Sequence, residues 1–170
     1  MIIVLMGVSG VGKTTIGQLL ATELQIPFYD GDDFHPVANI AKMRAGLPLD
    51  DRDRESWLRS LHDLLQRLHT EQQAAVLACS ALKSAYRQIL QGDLNEVEFV
   101  FLQGSYEVIQ QRLNQRQHHF MSAELLNSQF EVLEAPTGVF TVNVNDSPAA
   151  IVQTIQDHII QDHIKREPHE

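Results

Sequence analysis

Apolar residues along this chain fall into two periodicities that take turns. Short runs rich in β-branched and aromatic residues, Ile2 to Met6, Pro27 to Tyr29, Ala75 to Cys79, Val97 to Leu102 and Val139 to Val144, each predict a strand. Between them the period lengthens. Thr14 to Leu24 reads as one helix, and Trp57, Leu61, Leu64, Leu65 and Leu68 form the apolar stripe of another, with Asp53 as its expected N-cap. Ile151, Val152, Ile155 and Ile159 mark a last helix opened by Ser147-Pro148, where a proline at the first helical position loses no hydrogen bond. Strands alternating with helices predict a parallel α/β sheet, and the unbroken apolar runs IIVLM and VEFVFL predict strands covered on both faces.

Length and composition narrow the classes. A chain of 170 residues with 44% hydrophobic residues suits a single domain spanning residues 1–170, with a core that needs no disulfide. Thirteen Lys and Arg against 22 Asp and Glu give a net charge of −9, which disfavours nucleic acid and anionic membrane as partners. The single cysteine, Cys79, excludes an internal disulfide and any cysteine-based zinc pattern. The first apolar run reaches glycine after six residues, too short for a signal segment or a membrane span, so a cytoplasmic setting is expected. His158, His163 and His169 read as solvated groups near the tail.

The chemistry starts where the first strand ends. Gly7-Val8-Ser9-Gly10-Val11-Gly12-Lys13-Thr14 fits G-x-x-x-x-G-K-[ST], with a strand before it and a helix after it, the context that gives this pattern its meaning. Backbone N–H groups of such a loop turn inward around phosphates, Lys13 reaches the β and γ oxygens, and the Thr14 hydroxyl suits Mg²⁺. The expected ATP cradle is therefore Gly7, Val8, Ser9, Gly10, Val11, Gly12, Lys13, Thr14 and Thr15. A bare glycine turn is the bland alternative.

Signalling GTPases need D-x-x-G and N-K-x-D, and neither pattern occurs here. The third and fourth strands end without a carboxylate, whereas the second runs straight into Asp30-Gly31-Asp32-Asp33. Carboxyl ends of parallel strands face the nucleotide, so one carboxylate there can serve the Mg²⁺ shell while the other accepts a proton from an attacking hydroxyl. That arrangement suits a small-molecule kinase. Arg112 and Arg116, spaced i, i+4, are expected to close over the transferring phosphoryl group, and residues 115–122 to form a short lid that excludes water. The stretch Asn143 to Pro148 is a candidate adenine loop by position.

Four blocks together resemble the gluconate kinase (gluconokinase) family of small P-loop kinases: Gly7 to Thr14; Asp30-Gly31-Asp32-x-x-His35-Pro36 with Asn39, Lys42 and Met43; Gly46-x-Pro48-Leu49-x-Asp51-x-Asp53-Arg54-x-x-Trp57-Leu58; and Cys79-Ser80-Ala81-Leu82-Lys83-x-x-Tyr86-Arg87. A fifth, from Arg116 through His119 to Ser128-Gln129-Phe130 and Pro136, resembles the family's lid and following helix. The resemblance implies a P-loop nucleoside triphosphate hydrolase fold with sheet order 2-3-1-4-5, sandwiched by helices. It also implies ATP-dependent phosphorylation of D-gluconate at its 6-hydroxyl with Mg²⁺, and a homodimer.

By analogy with shikimate kinase, Asp32 is the expected general base and Asp30 the Mg²⁺-shell residue beside Thr14. A polyol carboxylate needs cations and polar forks, and His35, Arg54, Lys83, Lys42 and His119 are the donors in matching blocks, with Asp32 beside them. Plainer readings stand next to these: His35 as the start of a helix, Arg54 as a partner of Asp51, and Lys42 as a surface helix residue. Glu55 replaces the family's usual proline, where an acid in a first helical turn is also favourable. A shikimate-type kinase is the alternative enzyme, disfavoured because Cys79-Ser80-Ala81 replaces its glycine-rich turn, and a non-catalytic ATP-binding module is the alternative class.

Overall fold

The computed structural model describes residues 1–115 and 123–166. The strands are β1 (Ile2–Met6), β2 (Phe28–Asp30), β3 (Ala75–Ala78), β4 (Val97–Gln103) and β5 (Phe140–Asn143). All pairings are parallel and the order is β2-β3-β1-β4-β5, as the family resemblance implied. The helices are α1 (Lys13–Leu24), α2 (Val37–Arg44), α3 (Asp51–Thr70), α4 (Ser84–Gln91), α5 (Tyr106–Gln115), α6 (Ala123–Val132) and α7 (Pro148–Arg166), and a 3₁₀ turn covers Gly31–Phe34. None of the described helices is long and apolar enough to cross a membrane.

The period of two in the strands divides the core. Ile3 and Leu5 of β1 join Ile16, Leu20, Ile151 and Ile155 in one apolar cluster, on the α1 and α7 side. Ile2, Val4 and Met6 point the other way, to Trp57, Leu61, Leu65 and Tyr86 on α3 and α4. Each face of the central strand thus meets a helix layer, which is why its sequence is apolar throughout.

Several boundaries shift from the sequence reading. The N-cap of α3 is Asp50, not Asp53, and the two form a reciprocal capping box in which Asp50 Oδ1 accepts from Asp53 N at 2.8 Å and Asp53 Oδ2 accepts from Asp50 N at 3.0 Å. With the helix starting at Asp51, Glu55 lies beyond the first turn and pairs instead with Arg59 at 2.7 Å. Strand β2 runs to Asp30, and Asp32 sits in the 3₁₀ turn that follows it. At α7 the expected start holds, with Ser147 Oγ accepting from Ala150 N at 3.3 Å. His158 is not simply solvated: it stacks on Phe140 at 3.6 Å and faces Glu98 at 3.0 Å.

Candidate active site

The loop after β1 takes its shape from its glycines. Gly7 has φ 143°, and a Cβ there would lie 2.6 Å from the Leu102 carbonyl oxygen, so any larger residue would push the loop off β4. At its other end Ile16 N donates to Gly12 O at 2.9 Å and starts α1, so the helix N-terminus faces the concave side of the loop. The Lys13 ammonium folds back to donate to the Gly7 and Val8 carbonyls, both at 2.9 Å. Removal from water lowers its pKa, and the negative charge of Asp32 works against that shift.

Beside Lys13, the Thr14 hydroxyl donates to Asp30 Oδ2 at 2.8 Å, while Asp30 Oδ1 caps the 3₁₀ turn by accepting from Asp32 N at 3.1 Å. A hydroxyl and a carboxylate side by side are hard oxygen donors of the kind Mg²⁺ takes in phosphate-binding sites. Among the described residues no group of three or more His, Cys, Asp or Glu could hold a metal.

A cleft opens from the loop, lined among others by Ser9, Lys13, Asp32, His35, Arg54 and Ser80. Asp32 is largely exposed at its rim, and its Oδ1 lies 3.9 Å from His35 Nε2. His35 is buried and stacks on Trp57 with ring centroids 4.2 Å apart and planes at 14°. Burial, and then the positive charge of Arg54, lower its pKa to about 4, so the ring is neutral. Trp57 is core, as its stripe predicted, yet its Nε1 also donates to Gly31 O at 2.7 Å and so braces the acid-bearing turn.

Gly31 itself packs so closely on β3 that a Cβ would come within 2.6 Å of the Ala78 carbonyl oxygen.

The two lysines proposed as substrate donors stand outside this lining. Lys83 donates to both oxygens of Asp51 at 2.7 and 2.9 Å, and those hydrogen bonds raise the lysine pKa and lower that of the aspartate. Lys42 donates to both oxygens of Asp53 at 2.8 and 2.7 Å, with the same reciprocal effect. Asp51 thus takes Lys83 rather than Arg54. The Arg54 guanidinium donates to the Leu49 carbonyl and to the Tyr86 hydroxyl, the latter at 3.4 Å, and remains in the cleft wall.

Arg112 donates to Val11 O at 3.4 Å and to the Val144 carbonyl. That ties the end of α5 to the phosphate loop and to the stretch after β5, where Asp146 and Pro148 line the same hollow as Gly12, Thr15 and Arg112. Arg116, His119 and residues 116–122 of the expected lid lie outside the described residues.

One contact escaped the sequence reading. Gln129 Oε1, from α6, accepts from Ser9 N at 2.6 Å and so occupies a phosphate-loop N–H. Cys79, by contrast, is buried with its thiol pushed up to about 12 by burial, which keeps it unreactive.

Residues 9–163 match the family described as Shikimate kinase. The chain is 41% identical over 161 residues to the thermosensitive gluconokinase of Escherichia coli (strain K12), covering 92% of this chain and 86% of that protein. It is 41% identical to a gluconokinase of Arabidopsis thaliana, covering 93% of this chain and 92% of that one. The chain belongs to the gluconokinase family. A solved gluconokinase from Sinorhizobium meliloti 1021 superposes with a TM-score of 0.88 at 38% identity, covering 98% of this chain and 97% of that one. A shikimate kinase from Aquifex aeolicus shares the fold alone, at 21% identity and a TM-score of 0.55. Membership makes the chain a nucleotide-binding P-loop kinase, and gluconokinases lie far nearer to it in sequence than that shikimate kinase does.

Proposed function

We propose that this chain transfers the γ-phosphoryl group of ATP to the 6-hydroxyl of D-gluconate, giving 6-phosphogluconate and ADP. The observation that carries the reading is the convergence of Lys13, Asp32, His35 and Arg54 on one cleft beside the phosphate loop. Asp32 Oδ accepts the hydroxyl proton as the substrate oxygen bonds to the γ-phosphorus, and the bond from that phosphorus to the bridging oxygen breaks with its electron pair leaving on ADP. Lys13 and the loop N–H groups stabilise the charge on the phosphates.

Thr14 and Asp30 would hold Mg²⁺, which supplies charge neutralisation on the phosphate oxygens when bound. Arg54 is the cation best placed for the gluconate carboxylate, since a guanidinium offers a fork that matches two oxygens. Lys42 and Lys83, held by Asp53 and Asp51, brace the segment that carries Arg54. Arg112 stands at the nucleotide side, against the stretch Asn143 to Pro148.

A coupled ADP assay with gluconate, shikimate and nucleoside monophosphates tests the substrate. Turnover with gluconate above the others is expected, and turnover with another acceptor but not gluconate overturns the reading. A cytoplasmic homodimer belongs to the same proposal, and light scattering on the purified chain measures the second part of it.

A further inference from the structure

Asn39 of α2 is buried, with 4% of its surface exposed. A single atom, its Nδ2, donates to the Asp53 carbonyl at 2.7 Å and stands 3.3 Å from His35 Nδ1. A carbonyl oxygen only accepts, so the amide must turn its NH₂ and not its oxygen toward Asp53. An NH₂ nitrogen only donates, so the 3.3 Å approach is a hydrogen bond when His35 Nδ1 is the bare, accepting nitrogen. That arrangement leaves the ring proton to Nε2, the nitrogen that looks toward Asp32 Oδ1 from 3.9 Å. Stacking on Trp57, itself fixed to Gly31 O, holds the plane of the ring.

We propose that Asn39 is a positioning residue that locks His35 as the Nε2–H tautomer, and that this neutral donor, paired with Asp32, reads a hydroxyl of the acceptor rather than its carboxylate. This rests on the cleft being the acceptor site of a sugar-acid kinase. A hydroxyl can give its proton to Asp32 while accepting from His35 Nε2–H, whereas a carboxylate has no proton to give and is repelled by Asp32. The charged groups facing the ring are Asp32 from the 3₁₀ turn and Arg54 from α3, and the low pKa of His35 is consistent with a neutral ring.

The test is the histidine ¹⁵N–¹H spectrum of the labelled full chain together with kinetics of Asn39→Asp, His35→Asn and the double variant. In the unsubstituted protein a protonated Nε2 and bare Nδ1 are expected for His35, and a protonated Nδ1 overturns the proposal whatever the variants do. Asn39→Asp keeps the shape but offers an acceptor to Nδ1, so the tautomer should invert and KM for gluconate rise about tenfold or more, with KM for ATP within about twofold. On the His35→Asn background the same substitution should add little. Additive losses, or equal rises in both KM values, mean that Asn39 only joins α2 to α3 and overturn the proposal. If the Nε2–H tautomer is present and gluconate is not turned over, the substrate reading fails while the positioning role stands.

Discussion

The Thr14 hydroxyl donates to Asp30 Oδ2 at 2.8 Å, joining the first residue after the phosphate-loop lysine to the last residue of the second strand. Sixteen residues apart in sequence, the two oxygens meet because β2 ends and α1 begins at the carboxyl edge of the sheet. Asp30→Asn keeps the cap on the 3₁₀ turn but removes the charge. Its kcat should fall by about 10²-fold or more, with a higher Mg²⁺ concentration needed for half-maximal rate. Rate against Mg²⁺ concentration checks this, and an unchanged metal dependence contradicts the role given to Asp30.

Asp32→Asn removes the proposed proton acceptor at an exposed rim, where little packing depends on it. Transfer should drop by about 10²- to 10⁴-fold while ATP affinity, measured by calorimetry, stays nearly the same. Equal losses of both count against the base assignment.

Gln129 occupies the Ser9 N–H that a phosphate oxygen would use. Gln129→Ala should leave ATP binding intact or tighter, since it removes a competitor. Gln129→Glu places a carboxylate in the same position and should weaken ATP by about tenfold or more through like-charge repulsion. Nucleotide titration of both variants decides, and equal weakening by the two would show Gln129 to be a support rather than a competitor.

Trp57→Phe keeps the apolar ring but leaves the Gly31 carbonyl without its 2.7 Å donor. A loss of about 1–3 kcal/mol is expected for an orphaned buried acceptor. Urea unfolding gives the stability, and the KM for gluconate should rise with it because the ring also supports His35.

His35 supplies a pH dependence with a definite sign. Its folded-state pKa of about 4 lies below the ordinary 6.5, so the unfolded chain binds the extra proton first. Stability from this group is complete above 6.5 and is lost as pH falls through that value toward 4. Thermal unfolding of His35→Gln should show a shallower decline over this window than the unsubstituted protein, and parallel curves would contradict it.

Local patterns were enough to read the strands, the α7 start and the phosphate loop. Each is written within a few residues: a run of β-branched side chains, a serine followed by proline, glycines at fixed spacing before Lys13. At α3, Asp50, Asp51 and Asp53 all qualify as caps by residue type, and only the capping box between Asp50 and Asp53 chooses Asp50. The resemblance drawn from blocks such as Asp30 to Pro36 reached the family and the sheet order, which periodicity does not encode.

What the sequence determined by itself was the layered α/β order, the place of the nucleotide and an acidic balance of −9 that speaks against polyanions. Which cations remain at the cleft was decided only in three dimensions. Lys83 meets Asp51 across 32 residues and Lys42 meets Asp53 across 11, while Arg54 turns to Leu49 and Tyr86 and stays in the wall. Gln129 reaches Ser9 across 120 residues, and the Asp53 carbonyl orients Asn39 toward His35. A residue's type gives its charge and its hydrogen-bonding capacity. Its partner is set by which helices the sheet brings together, and that partner decides whether the capacity is left for a ligand.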